Sequence, residues 1–217
     1  MDAVPQTERT TLRRRRERGS YERATMDAIL DEALYCHLGF TVDGQPFVLP
    51  TIHARVGDVL YVHGSAAGRM LRTVGSGVPV CLTVTLVDGL VLARSVFHHS
   101  MNYRSVVVLG TARVVGDPAE KLAALEAVVE HVVPGRWREV RAPNAQELKA
   151  TSVLALPLAE ASAKVRTGPP LDDEEDLALG CWAGVLPFAT RPLAPIPDPH
   201  LPPTIQPSAC VTAYRRP

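Results

Sequence analysis

Residues 35–54 read YCHLGFTVDGQPFVLPTIHA: two apolar runs, Tyr35–Val42 and Phe47–Ala54, meeting at Asp43-Gly44. Asp-Gly between apolar runs signals a hairpin, because the tight two-residue turn needs positive φ at both central positions. Further along, Gly57-Asp58 marks a second turn, and Val59–His63 is a third strand. Val78–Val87 is a strand rich in β-branched residues, which Asp88-Gly89 turns into Leu90–Phe97. Tyr103–Val115 is the longest strand expected, with Gly110 as a bulge, and Val153–Val165 is the last, despite Pro157. About six or seven hairpin-connected strands with few helices point to a small antiparallel barrel, mainly β with peripheral helices, an α+β chain.

Helices punctuate this pattern. A short one is expected from Thr25, with Thr25 as its cap and Ile29, Leu30, Ala33 and Leu34 as its apolar face. Ala66–Val74 suits another, capped by Ser65. Asp117-Pro118-Ala119-Glu120 is a strong helix start, and Leu122, Leu125, Val128, Val129 and Val132 follow at helical spacing until Pro134-Gly135. A further short helix begins near Asn144. No internal repeat is evident.

The chain divides into a basic arm at 1–20, a barrel domain at 21–167 and a tail at 168–217. The arm carries Arg13, Arg14, Arg15, Arg16 and Arg18, and reads as a solvated or partner-docking segment. The tail holds 11 of the 19 prolines and an acidic run, Asp172–Asp176. Its Trp182, Val185, Leu186 and Phe188 are too apolar for a free linker, so it is expected to dock on the body. With 23 basic and 23 acidic residues the formal net charge is zero, which excludes a whole-chain field drawing in nucleic acid or an anionic membrane. No apolar run is long enough for a membrane span, and the polar N-terminus is not a secretory signal. Cys36, Cys81, Cys181 and Cys210 form no C-x-x-C pair and are expected to be reduced thiols of a cytoplasmic protein.

Three stretches could carry chemistry. In Tyr61-Val62-His63-Gly64-Ser65-Ala66-Ala67-Gly68-Arg69-Met70-Leu71-Arg72, a strand runs through a turn into a helix with arginines. That is either a phosphate site or a capped surface helix. In Phe97-His98-His99-Ser100-Met101-Asn102-Tyr103-Arg104-Ser105-Val106 the twin histidines invite a metal. Neighbours on a strand point to opposite faces, however, so a loop or ligand-contact role is the alternative. His53 and His63 lie on adjacent strands, facing one pocket or satisfied inside the core. Trp182-Ala183-Gly184-Val185-Leu186-Pro187 offers an aromatic that packs on the core or covers a planar ligand.

In their order and spacing these stretches resemble the FMN-binding split-barrel superfamily typified by pyridoxamine 5′-phosphate oxidase. The branch that includes the flavin-nucleotide-binding and nitroimidazole-resistance proteins is the most similar. Val59–Arg72, Asn102–Gly110 and Trp182–Pro187 carry the resemblance, supported by the basic arm and by Ser162–Arg166. It implies a homodimer with two FMN molecules in clefts between subunits. Arg69 would take the FMN phosphate, beside the turn at Ser65, and His63 would line the flavin. Pro50, Thr51 and Ile52 would run along the ring, with Thr83 at its polar edge. Tyr103, Arg104 and Ser105 would fall in the segment given by the second subunit, and Trp182 near the cofactor.

The implied activity is an oxidoreductase acting on a small molecule, a nitroaromatic among the candidates, with a reduced nicotinamide as electron donor. No residue is assigned as catalytic and no metal is expected. The alternative is a non-catalytic carrier of flavin, haem or deazaflavin, with His63, His98 or His99 as haem ligand. The complete set of substrate-phosphate residues of the true oxidases is absent, so vitamin B6 synthesis is not implied.

Overall fold

A computed structural model describes residues 3–215. A two-residue strand, β1 (Gly19–Ser20), precedes helix α1 (Arg23–Glu32). Strands β2 (Tyr35–Val42) and β3 (Gln45–Val56) form the hairpin read from the opening stretch. Asp43 and Gly44 have φ of 49° and 80°, the positive values that the turn requires. Strand β4 (Val59–Ser65) follows the turn at Gly57, then helix α2 (Arg69–Gly75) and the long strands β5 (Pro79–Leu92) and β6 (Ser100–Thr111). The chain continues through β7 (Arg113–Val114), α3 (Pro118–Val132), α4 (Ala145–Ala150), β8 (Thr151–Pro157), β9 (Ala161–Arg166), β10 (Gly184–Pro187) and α5 (Ala209–Thr212).

All pairings are antiparallel, in the order β1-β9-β6-β5-β2-β3-β4-β8-β7. Two features turn this ladder into a split barrel. Strand β3 belongs to two ladders: Gln45 to Ile52 pair with β2, and His53 to Val56 pair with β4. Strand β6 runs through buried Ala112 directly into β7, which pairs with β8 and closes the ring. The inward residues Leu38, Phe40, Leu60, Leu82, Val84, Val106, Val108, Leu154 and Leu156 fill the interior. Met26, Ile29 and Leu30 of α1 join the same cluster. Helix α1 starts at Arg23, not at Thr25, and its N-cap, Glu22, makes no side-chain cap bond. A missing cap costs about 1 kcal/mol. Three buried side chains contribute about 1.5–3 kcal/mol each, so packing holds this helix.

The sequence pattern placed several punctuation marks differently. Ser65 ends β4 and does not cap α2; the N-cap is Gly68. Gly110 pairs regularly with Val80 and is no bulge. Val153–Val165 is not one strand but two, β8 and β9, which join opposite parts of the barrel. Asp88-Gly89 is not a turn. It is a bulge inside continuous β5, where the register on β6 jumps between Val87 and Gly89. The helix starts at Asp117 and Asn144 stand as expected, each side chain accepting from the backbone N–H three residues on.

The arm packs back on the barrel. Val4 and Thr10 are buried, β1 pairs with β9, and Thr7 and Arg9 donate to Glu160. The tail docks as well: β10 pairs with the Gly89–Leu92 edge of β5, and buried Asp172 accepts from the backbone and guanidinium of Arg94. A β-carbon on Gly89 would lie 2.7 Å from the Leu186 carbonyl oxygen. Gly89→Ala is therefore expected to push β10 off, at about 1–3 kcal/mol. Hydrogen exchange at Phe188, whose N–H donates to the Asp88 carbonyl, checks this; unchanged protection would refute it. Among the described residues no helix is long and apolar enough to cross a membrane. The four cysteines are free thiols, and burial pushes that of Cys36 up to about 12.

Candidate functional site

The sheet's alternation sorts the residues expected to hold a cofactor. Cys36, Leu38 and Phe40 point inward, so Tyr35 and His37 point outward. Across the register, Ile52 faces Tyr35, Pro50 faces His37, and His37 faces Thr83. Ser105 lies opposite Thr85 and Lys164, and Tyr103 opposite Val87 and Arg166. Pro50, Ile52, Thr83, Tyr103 and Ser105 thus share one outward face. Tyr35, at 55% exposure, Val48, at 63%, and Ile52 leave this face broadly apolar.

The other expected residues lie elsewhere. Thr51 alternates to the opposite side of β3. Arg69 begins α2 with its guanidinium over the Phe47 ring, 5.6 Å from the centroid; Phe47 also faces away from Pro50 and Ile52. Arg104 is held inside its own chain. Its Nε and Nη2 donate to the Asp88 carboxylate at 3.0 and 2.7 Å, and Nη1 and Nη2 to Glu32. These carboxylates raise its pKa, the Glu32 hydrogen bonds foremost. Trp182 is 68% exposed, its ring against the backbone of Gly184.

His63 and Ser65 stand on β4, on the side covered by α3. His63 lines a cavity of about 460 Å³ walled by Leu125, Val128, Val129, Trp137, Val140 and Pro143. Arg141, Glu147 and Thr151 make its polar side. Arg141 forks onto Glu147 at 2.8 and 2.5 Å and, with the Asn144 N–H, holds that carboxyl down at about 2. The Nδ1 of His63 is buried without a hydrogen-bond partner, and burial pushes the imidazole pKa down. A neutral imidazole in an apolar cavity is the form that ligates a metal centre. His53 is not in this cavity. It is fully buried, with Nε2 2.9 Å from the Leu30 carbonyl oxygen, and its ring centroid is 5.0 Å from that of His131. His131 reaches the Ala33 carbonyl, so the pair tends the C-terminal end of α1.

A second cavity, of about 370 Å³, is lined by Arg14, Arg15, Arg18, Lys164 and Arg166, with Phe97, His98, His99, Ser100 and Leu171. The twin histidines face one space after all, because Val96–His98 is a 3-10 turn and not a strand. His98 meets Asp173 at 3.2 Å and His99 the Ser95 carbonyl at 2.9 Å. Among the described residues no three ligating side chains gather as a metal site. Reasoning from the sequence passed over Trp137 and treated Leu125, Val128 and Val129 as plain core. Their signal was an apolar stripe on α3 wider than its packing uses, since in the fold only Ala124 and Val128 of that helix are buried.

Residues 22–165 match the family model described as pyridoxamine 5′-phosphate oxidase. No curated protein matches the sequence. Among solved structures, the flavocytochrome Anf3 from Azotobacter vinelandii is 44% identical, with a TM-score of 0.91 over 96% of this chain and 97% of that one. An FAD and haem binding protein from Mycobacterium smegmatis is 37% identical, with a TM-score of 0.87 over 90% and 96%. At 24% identity and a TM-score of 0.56, covering 68% and 86%, a protein from Bacteroides thetaiotaomicron assigned to 5-nitroimidazole antibiotic resistance shares the fold. With the split barrel, the family model over most of its length and two relatives well above 30% identity, this chain belongs to the pyridoxamine 5′-phosphate oxidase family.

Proposed function

We propose that the protein is a homodimeric redox carrier for both a flavin and a haem, in which His63 would be a residue that holds the haem. The observation that carries this reading is His63 itself: an imidazole at the wall of an apolar cavity, its pKa pushed down by burial. A macrocycle needs such walls, and Leu125, Val128, Val129, Trp137 and Val140 supply them. Arg141 at the polar side suits the carboxylate groups that a haem keeps toward water. The two relatives named for flavin with haem add support.

The outward sheet face suits a flat flavin ring. Pro50 and Ile52 give an apolar floor, and Thr83 and Ser105 give hydroxyls toward its polar edge. One chain offers only the floor. A second copy laid on the exposed Tyr35, Val48 and Ile52 supplies the opposite wall, which is the case for a dimer. A bound flavin exchanges electrons in pairs with an organic donor, while a haem passes them singly. A small organic molecule, such as a reduced nicotinamide, is the donor class we assign.

The test is one absorption spectrum of the purified protein, a cofactor assay on the denatured extract, and light scattering on the native sample. A Soret band together with flavin bands, in a dimer, is expected. A flavin-only spectrum would leave the barrel a flavoprotein and remove the haem. A colourless protein would overturn the whole reading.

A further inference from the structure

The cavity beside the arm has no role in the haem assignment, and its charge calls for explanation. Arg14, Arg15, Arg18, Lys164 and Arg166 converge on about 370 Å³, and no carboxylate lines that space. Acids answer it at its edges: Glu17 lies 3.9 Å from Arg15, Asp173 meets His98, and Asp172, paired with Arg94, also acts on His98. Arg166 is the sharpest case. It is 5% exposed, and among the described residues no carboxylate forms a salt bridge with it. Its Nη1 donates to Asn102 Oδ1 and the Gly168 carbonyl, and its Nη2 to the Pro169 carbonyl. Its Nε is buried with no partner at all. Burial and the neighbouring Arg18 charge both push its pKa down. Hydrogen bonds to neutral oxygens offset only part of the cost of burying a cation, and an anion in the pocket would offset more of it. Arg15 joins the ring at a positive φ of 55°, a conformation disfavoured for a non-glycine residue.

We propose that this pocket binds the diphosphate group of a nucleotide. Five cations exceed what one carboxylate or monophosphate matches, and guanidinium forks suit phosphate oxygens. The volume falls in the range of about 300–1,000 Å³ usual for small-molecule sites. Phe97, 86% exposed at the rim, offers a flat face for a base. A haem is the wrong occupant here, because the lining is cationic where a macrocycle needs apolar contact. A nucleic-acid strand is disfavoured by the neutral net charge of the chain.

The register makes the pocket continuous with the outward face, since Ser105 lies opposite Lys164 and Tyr103 opposite Arg166. Two sources therefore share this chemistry: the tail of a flavin dinucleotide lying on that face, and a nicotinamide dinucleotide brought up to it. The link to those sources rests on the flavin reading; the anion pocket does not.

The test uses the full-length protein, with its flavin in place and after flavin removal, titrated with ADP by calorimetry at low and raised salt. ADP is expected to bind more tightly than inorganic phosphate, and less tightly as salt rises. The double variant Arg14→Ala/Arg18→Ala, and separately Lys164→Ala, should each weaken binding about 10-fold or more. Binding only after flavin removal, with a dinucleotide in the extract, identifies the flavin tail as the source. Binding with the flavin in place, in competition with a reduced nicotinamide dinucleotide, identifies the donor. If ADP binds neither form, or the variants bind it as the parent does, the proposal falls. Normal cofactor bands in that same sample would then show the cofactor reading surviving without it.

Discussion

His63→Ala is expected to strip the Soret absorption from the purified protein while its flavin content stays unchanged. The imidazole stands in the cavity under α3, whereas Pro50, Ile52, Thr83 and Ser105 share the outward face of the sheet, so the two proposed cofactors would draw on different residues. Groups that merely orient a metal ligand already change affinity about 10–100-fold, so loss of the ligand itself should exceed that. Leu60 and Val62 of β4 fill the barrel interior, while His63 points to the other side of the strand. The variant should therefore fold, with a melting temperature close to that of the parent protein stripped of haem. Imidazole added to the His63→Gly variant should restore part of the band. A Soret band of parental height in His63→Ala would move the haem elsewhere and sink the assignment.

Arg104→Ala is expected to be the most damaging polar substitution in the barrel. The guanidinium joins Glu32, at the end of α1, to Asp88, the residue that the β5 bulge sets free from the ladder. The side chains are 29%, 21% and 31% exposed, so water screens them only in part. Removing one partner of a buried ion pair costs about 3–5 kcal/mol. Partial exposure lowers this to roughly 2–3 kcal/mol, with two carboxylates left facing each other. Arg104→Lys should lie between, since an ammonium cannot fork onto two acids. The urea midpoint measures the loss. A change within about 0.5 kcal/mol, the range of ordinary surface substitutions, would show that the cluster adds nothing.

Where local chemistry decides, the fold was legible. Asp43-Gly44 is a turn because positive φ is needed at two successive positions. Asp117 and Asn144 start helices because their side-chain oxygens reach free N–H groups. Asp88-Gly89 carries the same residue types as Asp43-Gly44 and does something else. Its conformation is set by β6 on one side and by β10, almost a hundred residues away, on the other. No local reading separates the two cases. The division of Val153–Val165 into β8 and β9 is likewise set by which part of the barrel each half joins.

The candidate site divides along the same line. His63 was singled out from its motif, and the sheet's alternation gathers Pro50, Ile52, Thr83, Tyr103 and Ser105 on one face. The cavity around His63 stayed hidden because Trp137 and Val140 lie in and just after a 3-10 turn, Arg136–Glu139, that only the fold brings to α3. The arm's arginines could be counted but not placed, because Lys164 and Arg166, the other half of their ring, are some 150 residues away along the chain.

On the proposed reading, the transfer of β3 from one ladder to the other would bear on electron traffic. Ile52 is the last residue of its β2 ladder, and His53–Val62 is the first pair of the next, so Ile52 and His63 stand one rung beyond that pair on a single hairpin. The ring stacked at Ile52 and the iron at His63 would then share one stiff covalent mount. Their spacing would be held constant through every turnover, and current between them would need no swinging domain.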